Sequence, residues 1–380
     1  MMTTSNLGLY IHIPFCVKKC SYCDFVSFEG CDDRLQREYA AELVKEIRRW
    51  GLLYEKRFQI DTIFFGGGTP SLMDERLICE IIASIRESFP VESDAEITLE
   101  ANPGTLKARK LEAYRAAGIN RLSIGVQSLD DGMLKNLGRI HSVDEFLKNY
   151  TLARKYEFNN INIDLMFAIP GHSLEIWADT LRKALELAPE HISFYSLQIE
   201  ENTRFYTMLK SGEIQQISDV LDREMYHMAI EALNAAGYTH YEISNACKQG
   251  YECRHNLKYW SMENYLGLGL GAHSYIDGLR FSMTQDLQSY LNGEKINWQH
   301  KNDLKDDVSE YIFTGMRKTR GISFEAFRKR FGKELFEFYP EQRGLIGQYE
   351  QNGFIEVRDG FMRFTVKGFD ISNRILSEFV

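Results

Sequence analysis

Between residues 9 and about 200, short β-rich runs alternate six times with amphipathic helical patterns, and no other feature of the chain restricts its fold as much. The runs fall at 9–13, 62–65, 96–100, 121–126, 160–167 and 191–197. The helical stretches lie between them at 33–50, 75–89, 106–117, 143–156 and 174–187. Strand then helix, repeated, gives an α/β fold in which a parallel sheet carries its helices outside. Six units are too few for the usual eight-fold barrel. The expectation is a partial (β/α)6 TIM-like barrel with its chemistry at the C-terminal ends of the strands.

The alternation stops near residue 200, which divides the chain into a barrel core over 1–200, a barrel extension over 201–302 and a last module over 303–380. The extension shows one clear helix, 219–236, followed by loop-rich and Gly-rich segments. In the last module, 308–318, 324–331 and 345–352 read as helices. The runs 353–357 and 361–366 pair across Arg358-Asp359-Gly360, because Asp-Gly is a strong tight-turn signal. Three helices and a hairpin make a winged-helix-like α+β module. Its third helix, LIGQYEQNGF, lacks a basic row for phosphates, and the net charge is −9, so no nucleic-acid partner is expected and a structural or lid role is.

Cys16, Cys20 and Cys23 stand in CVKKCSYC, directly after the first run, with the spacing C-x3-C-x2-C. A disulfide framework suits a short secreted chain; this one has 380 residues, 7 Cys and no signal-peptide pattern. A structural zinc site takes four ligands, often as two C-x2-C pairs, and the nearby His12 sits within the strand and points to one side of it. Three close thiolates instead hold three corners of a [4Fe–4S] cube and leave its fourth iron open for a substrate or cofactor. An oxygen-sensitive cluster and free thiols both imply a reducing, cytoplasmic location. No run approaches the ~18–20 apolar residues that span a bilayer. Cys79 falls within an amphipathic helix and reads as core, while Cys247 and Cys253 form a C-x5-C pair that matches no zinc pattern.

Gly66-Gly-Gly-Thr-Pro70 follows the second run. Glycines let a ligand approach the backbone, and their exposed amides can receive an anion. Later units add polar residues where a barrel floor should be apolar. Glu100 ends ITLEANPG, Gln127 ends LSIGVQS, Asp164 interrupts INIDLMFAIPG, and Arg139 lies in the loop LGRIHS. One such residue is an ordinary loop-facing group; four in successive units form a constellation.

These motifs resemble the radical S-adenosylmethionine (SAM) superfamily. YIHIPFC, CSYCDF and GGGTP narrow the likeness to the group of oxygen-independent coproporphyrinogen dehydrogenases and HemW haem chaperones. The resemblance implies that the amino and carboxylate groups of SAM chelate the open iron, and that one electron cleaves the sulfonium to a 5′-deoxyadenosyl radical. It implies that Gly67, Gly68 and Thr69 contact the amino-acid moiety of SAM, and that Glu100, Gln127, Arg139 and Asp164 contact SAM as well. Carboxylates suit its ammonium and hydroxyls, and Arg its carboxylate. Tyr10 and Tyr22 fall near the cluster and adenine.

Two positions separate the branches of that group. The dehydrogenases continue as C-x3-C-x2-C-x-C, whereas here Phe25 follows Cys23-Asp24 and replaces a thiol by an apolar ring, as on the HemW side. His255 to Trp260 reads HNLKYW, similar to the HNxxYW haem-binding motif. A lone His beside aromatics is more often structural, but the full string makes His255 a haem ligand, with Tyr259 and Trp260 packing on the porphyrin. Gly267 to Ser274 is a close-packed glycine-rich turn, and His273 within it is a second candidate ligand. The resemblance thus implies a haem chaperone that binds a [4Fe–4S] cluster, SAM and haem. Such a chaperone passes haem to respiratory apo-proteins and so nears the membrane surface without an anchor of its own. Two enzymes stay open as alternatives: a coproporphyrinogen III dehydrogenase that decarboxylates propionates, and a radical SAM enzyme acting on haem itself.

Overall fold

A computed structural model describes residues 5–379. Six parallel strands lie side by side in chain order: β1 (Ser5–Ile13), β2 (Phe58–Gly67), β3 (Val91–Ala101), β4 (Arg121–Gln127), β5 (Ile161–Phe167) and β6 (His191–Ser196). The crossovers carry α1 (Asp33–Tyr54), α2 (Glu75–Ser88), α3 (Ala108–Ala117), α4 (Val143–Lys155) and α5 (Leu174–Glu186). Side-chain caps set several helix starts: Asp32, Ser142 and Ser173 accept from the amides of Leu35, Glu145 and Ile176. The partial (β/α)6 barrel expected from the alternation is the fold observed. Its core is a continuous apolar layer running from Leu7, Leu9 and Ile11 of β1 to Ile192 and Phe194 of β6.

The extension is not loop-rich, and here the sequence expectation is corrected. After α6 (Asp219–Ala235), β7 (Thr239–Glu242) and β8 (Asn245–Cys247) continue the sheet antiparallel beyond β6. A short helix, α7 (Arg254–Trp260), then leads to β9 (Tyr265–Leu268), which pairs parallel with β1 at the opposite edge. β10 (His273–Ile276), β11 (Leu279–Met283) and β12 (Ile296–Lys301) follow antiparallel. The result is one twelve-stranded sheet in the order β12-β11-β10-β9-β1-β2-β3-β4-β5-β6-β8-β7. Strands of three to six residues carry too few positions to show a period, which is why sequence patterning misses them.

The last module contains α8 (Leu304–Gly315), β13 (Ile322–Ser323), α9 (Phe324–Phe331), α10 (Gln342–Gln351), β14 (Ile355–Arg358) and β15 (Phe361–Phe364). The first helix begins earlier than expected because Asp303 and Asp306 form a capping box. Arg358 faces Phe361 across the hairpin, and Asp359 (φ 54°) and Gly360 (φ 78°) make the left-handed two-residue turn that Asp-Gly predicts. Among the described residues, no helix is long and apolar enough to cross a membrane.

Candidate cofactor site

β1 ends at Ile13, and two residues later Phe15 and Cys16 pair in parallel with Phe28 and Glu29. This small ladder closes residues 17–27 into a loop at the C-terminal end of the barrel. Within it, Lys19 donates its amide to Glu29 Oε1 (2.6 Å) and its ammonium to Phe25 O (3.0 Å). The amide of Cys23 donates to Cys20 O at 3.2 Å. Cys16, Cys20 and Cys23 border one cavity of about 140 Å³ together with Tyr22, Phe25, Gly67, Gly68, Thr69, Glu100, Gln127, Arg139 and Asp164. Of the residues expected at the cluster and SAM, Tyr10 does not line it, and neither do the haem candidates His255, Tyr259, Trp260 and His273.

Hydrogen bonds tie the strand ends to the loop. Arg139 donates through Nη1 to Cys20 Sγ (3.3 Å) and through Nη2 to Asn102 Oδ1 (2.7 Å) and Gly125 O (2.5 Å). Asn102 Nδ2 donates to Thr69 Oγ1 at 2.8 Å, and that hydroxyl lies 3.6 Å from Cys16 Sγ. Gln127 sits at φ 69°, a left-handed backbone uncommon outside glycine, and its Oε1 accepts from Tyr195 Oη at 2.8 Å. Backbone strain of this kind collects at functional sites, where the surroundings hold it in place.

Burial, then the neighbouring Asp164 charge, pushes the Glu100 carboxyl up to about 8, against the Gly67 amide that donates to it at 3.2 Å. Burial also raises Asp164, opposed by Asn162 Nδ2 at 2.7 Å. Two carboxyl groups held above their ordinary range favour the protonated, neutral form, and a cation bound beside them would lower both and favour their ionisation. Burial likewise raises the Cys16 and Cys23 thiols, a cost that a bound metal cluster reverses.

The glycines of GGGTP are needed for packing as well as for ligand approach. Gly67 has φ 114°, and a Cβ there would lie 2.6 Å from His12 Cε1. A Cβ at Gly68 would lie 2.8 Å from Phe15 O and 3.0 Å from Cys16 Sγ. No three His, Cys, Asp or Glu side chains among the described residues converge on a single ion. A cube asks for a different arrangement: each thiolate meets its own iron, so the sulfurs stand apart around a shared space. Three cysteines bordering one cavity fit that demand.

Two further cavities adjoin the first. One of about 260 Å³ shares Phe25, Gly67, Glu100 and Asp164 with it and adds Tyr10, Phe64, His255 and Tyr259. His255 is fully buried there. Its Nδ1 lies 2.8 Å from Thr62 Oγ1 and its Nε2 2.8 Å from Tyr259 Oη, and burial drops the imidazole to about 3. Glu96 accepts from the amides of Arg254 and His255 at 3.1 Å, anchoring the start of α7. The other cavity, about 570 Å³, is walled by Tyr10, Phe25, Tyr259, Trp260, Met262, Tyr265, His273 and Tyr275.

Sequence reasoning missed Asn102, Ser123, Tyr195 and Arg121. Asn102 stands two residues after Glu100 in the same motif, so its position was a usable signal. Ser123 faces Glu100 across the β3–β4 ladder, and Tyr195 lies on β6 beside β5; both are found only through strand register. Arg121 is buried at the start of β4 with its Nε unpartnered, and no local pattern marks it.

A family model of the radical SAM superfamily matches residues 10–184, and one of the HemN C-terminal domain matches residues 302–371. The heme chaperone HemW of Bacillus subtilis is 34% identical over 381 residues, covering 98% of each chain. The heme chaperone HemW of Escherichia coli is 38% identical over 322 residues, covering 83% of this chain and 84% of its own. Among solved structures, the coproporphyrinogen III oxidase HemN of Escherichia coli, a radical SAM enzyme, superposes with a TM-score of 0.86. That match covers 99% of this chain and 90% of the other at 22% identity, a likeness of fold. With 34% identity sustained over 98% of its length, this chain belongs to the HemW heme chaperone family of the radical SAM superfamily.

Proposed function

We propose that the chain binds a [4Fe–4S] cluster through Cys16, Cys20 and Cys23, holds SAM beside it, and carries haem to respiratory apo-proteins in the cytoplasm. The observation that carries this reading is the position of Phe25. Its ring is 63% exposed and borders all three cavities, so the cysteine site and the large aromatic cavity adjoin across one side chain. Cavities of about 300–1,000 Å³ take ligands of cofactor size, and aromatic walls suit a flat macrocycle. The relatives named heme chaperones support haem as the cargo.

When bound, the cluster supplies one-electron chemistry. The chain's own groups do the positioning. Gly67, Gly68 and Thr69 offer backbone to the amino-acid end of SAM, and Arg139 faces its carboxylate. Glu100 and Asp164 receive its ammonium and hydroxyls, while Tyr22 and Gln127 close the sides. Tyr10 divides this space from the haem cavity. His255 is the ligand designated by the HNLKYW motif, and it reaches iron by giving up its bond to Tyr259 or to Thr62. Delivery to membrane-bound acceptors makes the chain a peripheral visitor at the membrane, with residues 1–200 holding the cofactors, 201–302 the cargo, and 303–380 acting as a lid.

The test is anaerobic. Cluster-loaded protein is mixed with haem and its absorbance followed, then offered a respiratory apo-protein whose activity depends on haem. Saturable binding and transfer are expected. Conversion of coproporphyrinogen III to protoporphyrinogen with SAM and a reductant would overturn the chaperone reading.

A further inference from the structure

Arg139 and Thr69 meet on the side chain of Asn102, the residue that follows β3. Arg139 Nη1 stands 3.3 Å from Cys20 Sγ, while its Nη2 donates to Asn102 Oδ1 at 2.7 Å. Asn102 Nδ2 donates to Thr69 Oγ1 at 2.8 Å, and that oxygen lies 3.6 Å from Cys16 Sγ. One continuous path therefore runs Cys16–Thr69–Asn102–Arg139–Cys20, with Asn102 at its centre. Chemistry fixes its direction. A guanidinium only donates, so it claims the carbonyl end of the amide and leaves the NH2 end for Thr69. A hydroxyl has a single hydrogen. With Asn102 occupying one of its lone pairs, Thr69 turns that hydrogen toward its other neighbour, the Cys16 sulfur.

The backbone of Asn102 is fastened as well. Its amide donates to Ser71 Oγ at 3.3 Å, and its carbonyl accepts from Thr105 Oγ1 at 2.6 Å. Lys110 Nζ donates to the carbonyls of Ser71 (2.5 Å), Leu72 (3.1 Å) and Met73 (2.8 Å), which pins the turn Pro70–Leu72 beside it.

Resting on the cluster-binding reading above, we propose that Asn102 is a positioning residue. It aims two donors, the Thr69 hydroxyl and the Arg139 guanidinium, at the sulfurs of two cluster-ligating cysteines, and so raises the reduction potential of the bound cluster. A hydrogen bond to a ligating sulfur disperses the negative charge that reduction adds, and groups placed in this way set cluster potentials. Asparagine is the residue this arrangement requires. Aspartate would accept from Arg139 equally well, but it would also draw the Thr69 hydrogen to itself and leave the Cys16 sulfur facing lone pairs.

The test uses the full chain, reconstituted anaerobically with iron and sulfide and titrated without SAM against dithionite in the presence of redox mediators. Each cluster gains one electron with no bond made or broken, and electron paramagnetic resonance counts the reduced form. Thr69→Val should lower the potential, the ratio of reduced to oxidised cluster at one fixed potential falling roughly threefold to tenfold, the net worth of one hydrogen bond. Thr69→Ser should keep the wild-type value. Asn102→Asp should lower the ratio by about tenfold or more, and tenfold is about 59 mV for one electron. Part of that fall is the added charge, so the two positions are read as a cycle. In the Thr69→Val background, Asn102→Asp should cause only the smaller shift due to charge. Where Asn102→Asp fails to load iron, Asn102→Ala takes its place in the cycle, with the same expectation and no added charge. Equal shifts in both backgrounds, or Thr69→Val indistinguishable from wild type, overturns the assignment and leaves the cluster reading standing. Wild type that takes up no cluster overturns both. Iron and sulfide content with circular dichroism separates a changed potential from a lost site or a lost fold.

Discussion

The guanidinium of Arg139 stands 3.3 Å from the sulfur of Cys20 and 2.7 Å from Asn102 Oδ1, so one cation joins the cysteine loop to the end of β3. Its remaining reach is to Gly125 O at the end of β4. Replacing Arg139 by Met should leave all three cysteines able to take up iron and sulfide but weaken SAM binding. Loss of a charge-assisted hydrogen bond to a carboxylate predicts a drop of roughly tenfold to a hundredfold. Arg139→Lys should fall between, since an ammonium cannot span three acceptors in one plane. Calorimetric titration with SAM beside iron analysis checks this; unchanged affinity in Arg139→Met would remove Arg139 from the SAM site.

Glu100 makes stability depend on pH. Its folded carboxyl titrates at about 8, whereas an unfolded Glu titrates near ~4.3. Between those values the folded chain keeps a proton that the unfolded chain has lost. The stability linked to this group is therefore full below ~4.3, falls as pH rises, and is gone above about 8. Glu100→Gln carries no such proton. Its thermal midpoint should fall less than that of wild type between about pH 5.5 and about pH 8. Parallel pH courses for the two proteins would mean that Glu100 is already ionised in the fold.

Two glycines with left-handed backbone should respond differently to alanine. At Gly67, φ 114° combines with a Cβ position 2.6 Å from the His12 ring, so strain and overpacking add to about 2–5 kcal/mol. At Gly360, φ is 78° but nothing lies within 4 Å, so Gly360→Ala should cost only about 1 kcal/mol. Urea unfolding midpoints at constant slope measure both costs. Equal midpoints would show that the His12 ring moves aside freely.

Within HNLKYW, Lys258 is structural. Its Nζ lies 2.7 Å from Asp61 Oδ2 with both side chains buried, and 3.2 Å from Glu263 Oε2 at the surface. Lys258→Met should cost about 3–5 kcal/mol, because it leaves the Asp61 charge buried and uncompensated. Adding Asp61→Asn should recover much of that loss. Denaturation of the single and double variants decides; a double variant no more stable than Lys258→Met would show that the burial of Asp61 is not what costs.

Much of the cofactor site was readable because its chemistry is local. The cysteine loop, GGGTP and the polar strand ends each fall within a few residues of one another, and the barrel rule then assembles strand ends at one mouth. Tyr10 and His255 show where that logic stops. Tyr10 alternates to the far side of β1 and faces Phe64 and the two neighbouring cavities. His255 is matched to a motif, yet a motif does not report that Thr62, nearly two hundred residues earlier, already holds its Nδ1.

By itself the sequence determined the parallel barrel, the three cysteines, the glycine turn and the Asp-Gly hairpin, because each is written in spacing or in residue type over a short stretch. Only the tertiary structure decided that β9 pairs with β1. That pairing aligns Gly8 to Ile11 with Tyr265 to Leu268 and carries His273, Tyr259 and Tyr265 to the edge of the barrel beside Phe25. A four-residue strand has no period to read, and its partner lies some 250 residues away. What selects it is burial of Leu266 and Leu268 against Leu9 and Ile11, a packing choice that exists only once the sheet is there.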